Sequence, residues 1–135
     1  MLVIMASCKT VEKTTVQNTT ADVLLTYSKS RCLGKCPVYN VKILKDGMLV
    51  YTGVDWVKQK GNVIVKLSAE ELAELRQMMA TTIKVPPAFK RIRDRPVTAL
   101  MMNEKKYEFH GTPADDQLKT LNSRIEHWVD QLNTK

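Results

Sequence analysis

The octapeptide Cys32-Leu33-Gly34-Lys35-Cys36-Pro37-Val38-Tyr39 places the tightest constraint on how this chain can fold. Two cysteines four positions apart enclose a glycine, which admits backbone angles closed to other residues, and are followed by a proline, which has no N–H to give a sheet ladder. The segment therefore reads as a tight corner, and the alternating run behind it must leave that corner as a strand.

The strand pattern spreads outward from the corner. Upstream, Val23, Leu25 and Tyr27 alternate with Asp22, Leu24, Thr26 and Ser28. Downstream, Tyr39, Val41 and Ile43 alternate as far as Asp46-Gly47, a pair that marks a hairpin because a type I′ turn needs positive φ at both central positions. A two-residue loop there would set Ile43 opposite Val50, Val41 opposite Thr52 and Tyr39 opposite Val54. The third run continues from Met48 to Lys60, Gly61-Asn62 offers a second turn before Val63-Ile64-Val65, and Gly53 in mid-strand suggests a bulge.

Helix signals follow. Ser68 with Glu71 three residues on forms a capping box, Leu67 and Leu72 hold the positions of a hydrophobic staple, and Leu72, Leu75 and Met79 make one stripe. The pair Met78-Met79 at helical spacing reads as core packing. The segment from Lys84 to Arg95 is a loop with two prolines and the basic run Lys90-Arg91-Ile92-Arg93-Asp94-Arg95. Pro96 to Met102 and Lys105 to Phe109 then read as a hairpin around Asn103-Glu104, with Leu100 opposite Tyr107. Thr112 as N-cap and Pro113 at the first helical position open a closing helix of about five turns, with an apolar stripe of Leu118, Leu121, Ile125, Trp128 and Leu132. Strands followed by helices without βαβ alternation predict an α+β fold, an antiparallel sheet of a meander plus a hairpin with two helices packed on one face.

A chain of 135 residues is one domain's worth, and at that length folding hides roughly two-thirds of the surface of the open chain. The balance of 21 basic against 14 acidic side chains favours anionic partners. No glycine-rich phosphate loop, zinc-finger spacing or aromatic nucleic-acid module accompanies that charge, so nucleic acid is not an expected partner.

Residues 1–8 run Met-Leu-Val-Ile-Met-Ala-Ser-Cys, an apolar stretch closing on small residues and a cysteine, which resembles the end of a bacterial lipoprotein signal. Cys8 is accordingly the expected lipidation site, and a membrane reached through a lipid anchor at Cys8 is an expected partner. Met5 fits the pattern loosely, and no basic residue precedes Cys8, which suits a precursor starting upstream of Met1. Residues 9–21 are polar and threonine-rich with no periodicity and read as a flexible tether, which leaves 22–135 as a single α+β domain. No other window approaches the roughly 18 apolar residues of a membrane span.

With Cys8 lipidated, Cys32 and Cys36 are left as an even pair, most simply a disulfide in an exported domain. Closing so short a loop is worth about 2 kcal/mol, so the bridge serves to fix the entry of the following strand. The alternative is a thiol redox or metal-handling module using Cys32 and Cys36. Redox pairs are usually Cys-x-x-Cys at a helix head, whereas a strand follows here. Two thiolates make half a metal site, and neither His110 nor His127 has a sequence-local partner at ligand spacing, so no metal and no cofactor is expected.

The frame Cys32-x-Gly34-x-Cys36-Pro37-x-Tyr39, with Asp46-Gly47 and Tyr51-x-Gly53 downstream, resembles a bacterial family of small extracytoplasmic domains of unknown function. Its members typically carry Cys-Phe-Gly-Thr-Cys-Pro-Val-Tyr and an Asp-Gly hairpin, often behind a lipoprotein signal. The resemblance covers roughly residues 22–132, and Leu33 and Lys35 depart from the usual Phe and Thr. It implies location in the bacterial envelope, facing the periplasm or exterior, and supplies no catalytic residue.

Enzyme signatures are missing from the sequence. There is no Gly-x-Ser-x-Gly elbow and no His-Glu-x-x-His, and the acid pairs Glu70-Glu71 and Asp115-Asp116 sit at helix starts, where the macrodipole accounts for them. A dyad of His110 with Asp115 or Asp116 is weighed against a structural histidine beside a helix cap, and the structural role is preferred. The sequence therefore predicts a non-catalytic, membrane-tethered envelope lipoprotein domain with a binding or scaffold role. Its expected contact surface is Leu33, Lys35, Tyr39, Lys90, Arg91, Arg93 and Arg95, facing an anionic lipid, a glycan or an envelope protein.

Overall fold

Period-two alternation of apolar residues builds six strands, and period-3.6 stripes build two helices that cover one side of them. The computed structural model describes residues 22–82 and 84–134; Cys8 and the tether at 9–21 lie outside the described residues. The elements are β1 (Val23–Lys29), β2 (Val38–Leu44), β3 (Met48–Asp55), β4 (Gly61–Lys66), α1 (Ala69–Thr81), β5 (Thr98–Met102), β6 (Lys105–Phe109) and α2 (Asp116–Asn133). They form one antiparallel sheet in the order β4-β3-β2-β1-β5-β6, a four-strand meander extended on its β1 side by a hairpin. This is the expected α+β architecture.

One row of the sheet shows where the core lies. Registered neighbours run Val63, Tyr51, Val41, Tyr27, Leu100, Tyr107 from edge to edge, and the last five are all buried. Against this face α1 sets Leu75 and Met79, and α2 sets Leu118, Leu121, Ile125, Trp128 and Val129. The helices run antiparallel to each other, joined by the Arg124–Glu74 ion pair and by Thr81 Oγ1 donating to Gln117 Oε1 at 3.3 Å.

The first hairpin departs from its expected register by one residue. Its turn uses three residues: the Gly47 amide donates to the Leu44 carbonyl at 3.0 Å, Gly47 takes φ +94°, and Asp46 Oδ1 accepts from the Met48 amide at 3.0 Å. Ile43 therefore faces Leu49, Val41 faces Tyr51 and Tyr39 faces Gly53. A slip of one position exchanges the faces of a strand, and burying Leu49 and Tyr51 outweighs burying Val50 and Thr52. The second hairpin has the expected two-residue loop, with Asn103 and Glu104 both at positive φ and Leu100 opposite Tyr107.

The β3–β4 turn also falls elsewhere than expected. Gly61 and Asn62 already belong to β4, and Trp56 to Lys60 make the connection, with Trp56 at φ +53°. The expected irregularity at Gly53 is present, because Val38 pairs with Asp55 while Tyr39 pairs with Gly53, leaving Val54 as an extra residue. The connection folds back so closely that a Cβ on Gly53 would lie 1.8 Å from the Gln59 carbonyl oxygen.

Both helix starts are capped. Ser68 and Glu71 form the full capping box expected for α1. For α2 the cap is Asp115, whose Oδ1 accepts from the Leu118 amide at 2.8 Å; Thr112 and Pro113 precede the helix. A carboxylate at this place also faces the positive end of the helix dipole, which favours it over the Thr112 hydroxyl.

Candidate functional site

The row Gly61, Gly53, Tyr39, Lys29, Thr98, Phe109 marks one end of the sheet. Beyond it lie three connecting segments: the corner at 30–37 that follows β1, the turn at 56–60 that follows β3, and the basic loop that leads into β5. They are distant in sequence and joined in space, with the corner as their hub.

Within the corner, the sulphurs of Cys32 and Cys36 lie at disulfide distance and their Cα atoms are 5.8 Å apart. Gly34 between them takes φ +138°, which a side chain would oppose. Cys36 leads through Pro37 into β2, so neither sulphur sits at a helix N-terminus where a thiol would be acidified.

Toward the turn, Arg31 Nη1 donates to Asp55 Oδ2 at 2.7 Å, and Lys35 Nζ stands 5.4 Å from the centroid of the Trp56 ring. The Arg31 hydrogen bond, helped by the Trp56 amide donating to Oδ1, holds the Asp55 carboxyl below the usual carboxylate range. Toward the basic loop, the Leu33 amide donates to the Asp94 carbonyl at 3.2 Å, the Ser30 amide to the Val97 carbonyl at 3.0 Å, and the Val97 amide to Ser30 Oγ at 2.8 Å.

His110, at the end of β6, pins the same loop. Its Nε2 accepts from the Ile92 amide at 2.9 Å, so Nδ1 is the nitrogen that carries the proton and donates to the Pro96 carbonyl, also at 2.9 Å. The Phe89 ring packs 5.0 Å from the imidazole. Both ring nitrogens are thus spent on backbone, and Asp115 caps α2, which rules out the dyad considered from sequence. His127 is exposed and lines a shallow, open depression on α2 with Asp116, Lys119, Thr120, Ser123 and Arg124.

The expected contact residues fall into two groups, exposed and buried. Leu33 is 81% exposed, and Lys35, Lys90, Arg91, Arg93 and Arg95 are exposed. Tyr39 is not at the surface: it is 4% exposed, with its ring between Tyr27 and Tyr51 at centroid distances of 6.2 and 5.8 Å, because the register of β2 turns it onto the core face. Sequence reasoning missed Trp56, 51% exposed, together with Lys58 and Lys60, since the turn had been sought at Gly61. The positive φ of Trp56 leaves no composition signal that could have revealed it.

The three segments concentrate charge. Over the corner, residues 56–60 and the run 90–95, Arg31, Lys35, Lys58, Lys60, Lys90, Arg91, Arg93 and Arg95 stand against Asp94 and the Asp55 carboxylate that Arg31 binds, a surplus of six. The whole chain has 21 basic and 14 acidic side chains, a surplus of seven, so the remainder is close to balance at 13 basic against 12 acidic. Among the described residues Arg31 is the only one of the eight in an ion pair. No group of three or more His, Cys, Asp or Glu among the described residues is placed to hold a metal ion, and no described helix is long and apolar enough to cross a membrane.

The molecule is therefore an α+β domain that gathers most of its net charge at one end of a six-stranded antiparallel sheet. Its residues 23–129 match the model of the domain of unknown function DUF6438, and the chain belongs to that family. Comparison with curated proteins returned no match.

Proposed function

We propose that this chain is a non-catalytic binding domain of the bacterial cell envelope, tethered to a membrane through a lipid on Cys8, and that it engages an anionic partner with the corner end of its sheet. The observation that carries the binding role is the charge distribution: the corner, the Trp56 turn and the run 90–95, with Asp55 counted against them, hold six of the chain's net seven positive charges. Such a field draws an anionic partner to that end and is screened by salt. The disulfide, the Leu33–Asp94 bond, the His110 clamp and the Arg31–Asp55 ion pair support the reading, since they hold the three segments in fixed relation before any partner arrives. A pre-set surface loses less entropy on binding than a mobile one.

Retention on heparin or on vesicles containing phosphatidylglycerol should weaken steadily as salt is raised, and Arg91→Glu with Arg93→Glu should abolish it at physiological ionic strength. Retention indifferent to salt and to that charge reversal would remove the proposal. For the anchor, radiolabelled palmitate should enter the protein expressed from its full precursor, and Cys8→Ser should release it to the soluble fraction. Membrane association that survives Cys8→Ser without label would sink that part.

A further inference from the structure

Each of the three cationic segments also carries a large apolar side chain in water beside its basic residues. Leu33 is 81% exposed between Arg31 and Lys35, Ile92 is 46% exposed between Arg91 and Arg93, and Trp56 is 51% exposed beside Lys35 and two positions before Lys58. Exposed large hydrophobic residues gathered at one place mark contact with another apolar phase. Flanking cations say what kind of phase.

A soluble polyanion would satisfy the arginines and lysines and could stack on the indole, but it would leave the Leu33 and Ile92 side chains in water. A protein partner would supply carboxylates only at fixed positions, whereas these cations border their apolar tips on both sides in two separate loops. A bilayer with anionic headgroups meets all three features together: aliphatic tips enter the headgroup and acyl boundary, the indole sits at the interface, and arginine and lysine reach outward to phosphate. Loops that penetrate must also keep their shape. Here the tips are held by the Cys32–Cys36 bridge, by the Leu33–Asp94 bond and by the Ile92 amide on His110.

We infer that the corner end of the sheet docks on an anionic lipid bilayer, with Leu33, Trp56 and Ile92 inserted at its surface and Lys35, Lys90, Arg91, Arg93 and Arg95 on the lipid phosphates. This rests on the proposed anion-binding role of that end and is independent of Cys8.

The test uses the full chain carrying Cys8→Ser, so that no acyl group contributes. Trp56 reports on insertion, because the second tryptophan, Trp128, is buried on the sheet-facing side of α2 and does not sense the vesicle. With vesicles of phosphatidylglycerol and phosphatidylcholine the emission should shift to the blue and be quenched by lipids brominated in the upper acyl chain, with neither change on pure phosphatidylcholine. Leu33→Ser, at a position too exposed to disturb folding, should lower vesicle affinity about tenfold, and Arg93→Ala about fivefold. Heparin in place of vesicles separates the two levels of the argument. Binding to heparin or to anionic vesicles that ignores Leu33→Ser and leaves Trp56 emission unchanged overturns insertion and keeps the anion-binding role. Failure to bind either probe overturns both.

Discussion

The Tyr27 hydroxyl donates to Asn122 Oδ1 at 2.6 Å, a bond between the first strand and the last helix across 95 positions of sequence. It seats α2 on the centre of the sheet, because Tyr27 lies on β1 between β2 and β5 and Asn122 is the one buried polar residue on the helix. Tyr27→Phe would leave the Asn122 oxygen buried without its donor, at a cost of about 1–3 kcal/mol. Urea unfolding should show this loss, and a second change, Asn122→Leu, should restore part of it by removing the stranded polar group. Full additivity of the two changes would show that the bond does not couple helix to sheet.

All four tyrosines of the chain are buried, and burial pushes the hydroxyls of Tyr27, Tyr39 and Tyr107 above the ordinary tyrosine value of 10.0. Their folded-state values are raised, so the stability they contribute is fully present below pH 10.0 and is lost as pH climbs past it, where the unfolded chain releases protons the folded chain keeps. In an alkaline titration, tyrosinate absorbance from these residues should appear together with loss of circular dichroism. Tyrosinate forming while the sheet signal holds would contradict their burial.

Reduction of Cys32–Cys36, or its replacement by a serine pair, frees a short loop that the chain-entropy estimate values at about 2 kcal/mol. The sheet core lies behind that loop, so the protein should stay folded with a lower melting temperature. Hydrogen exchange should quicken at the Leu33 amide, whose bond to Asp94 depends on the corner. Global unfolding on reduction would make the bridge a precondition of the fold.

Gly53→Ala introduces a methyl group 1.8 Å from the Gln59 carbonyl oxygen and 2.9 Å from the Tyr51 hydroxyl, which itself donates to that carbonyl at 3.1 Å. The Trp56 turn has to lift away. Its tie to the end of α2 goes with it, since the Gln59 amide donates to Asn133 Oδ1 at 3.0 Å. A stability loss above about 2 kcal/mol, read by urea unfolding, is expected from displaced backbone together with lost hydrogen bonds. A near-neutral effect would mean the turn does not press on Gly53.

The elements of the fold were legible in the sequence because period and capping are local. The capping box at Ser68, the Asn103-Glu104 hairpin and the five-turn stripe of α2 need only neighbours within a few residues. Register was less legible: Asp46-Gly47 signals a turn without saying whether two or three residues form it, and only the competition between Leu49 with Tyr51 and Val50 with Thr52 for the core decides. The corner end was legible in part. Basic residues and the cysteine corner stand out as strings, but their union rests on bonds such as Leu33 to Asp94 and Ile92 to His110, between segments that no local pattern relates. Trp56 stayed hidden for the same reason as the turn that carries it.

The strand nearest the N-terminus, β1, is an interior one, bonded along its length to β2 on one side and β5 on the other. It enters the sheet beside Lys45, whose amide donates to the Asp22 carbonyl at 2.9 Å, and runs seven residues, about 24 Å, to the corner. A tug applied along β1 through residue 22 would run at right angles to the bonds of two ladders and strain them together instead of one after another. A load entering at residue 22 would thus be shared by two ladders, with the corner at the opposite end of the same strand.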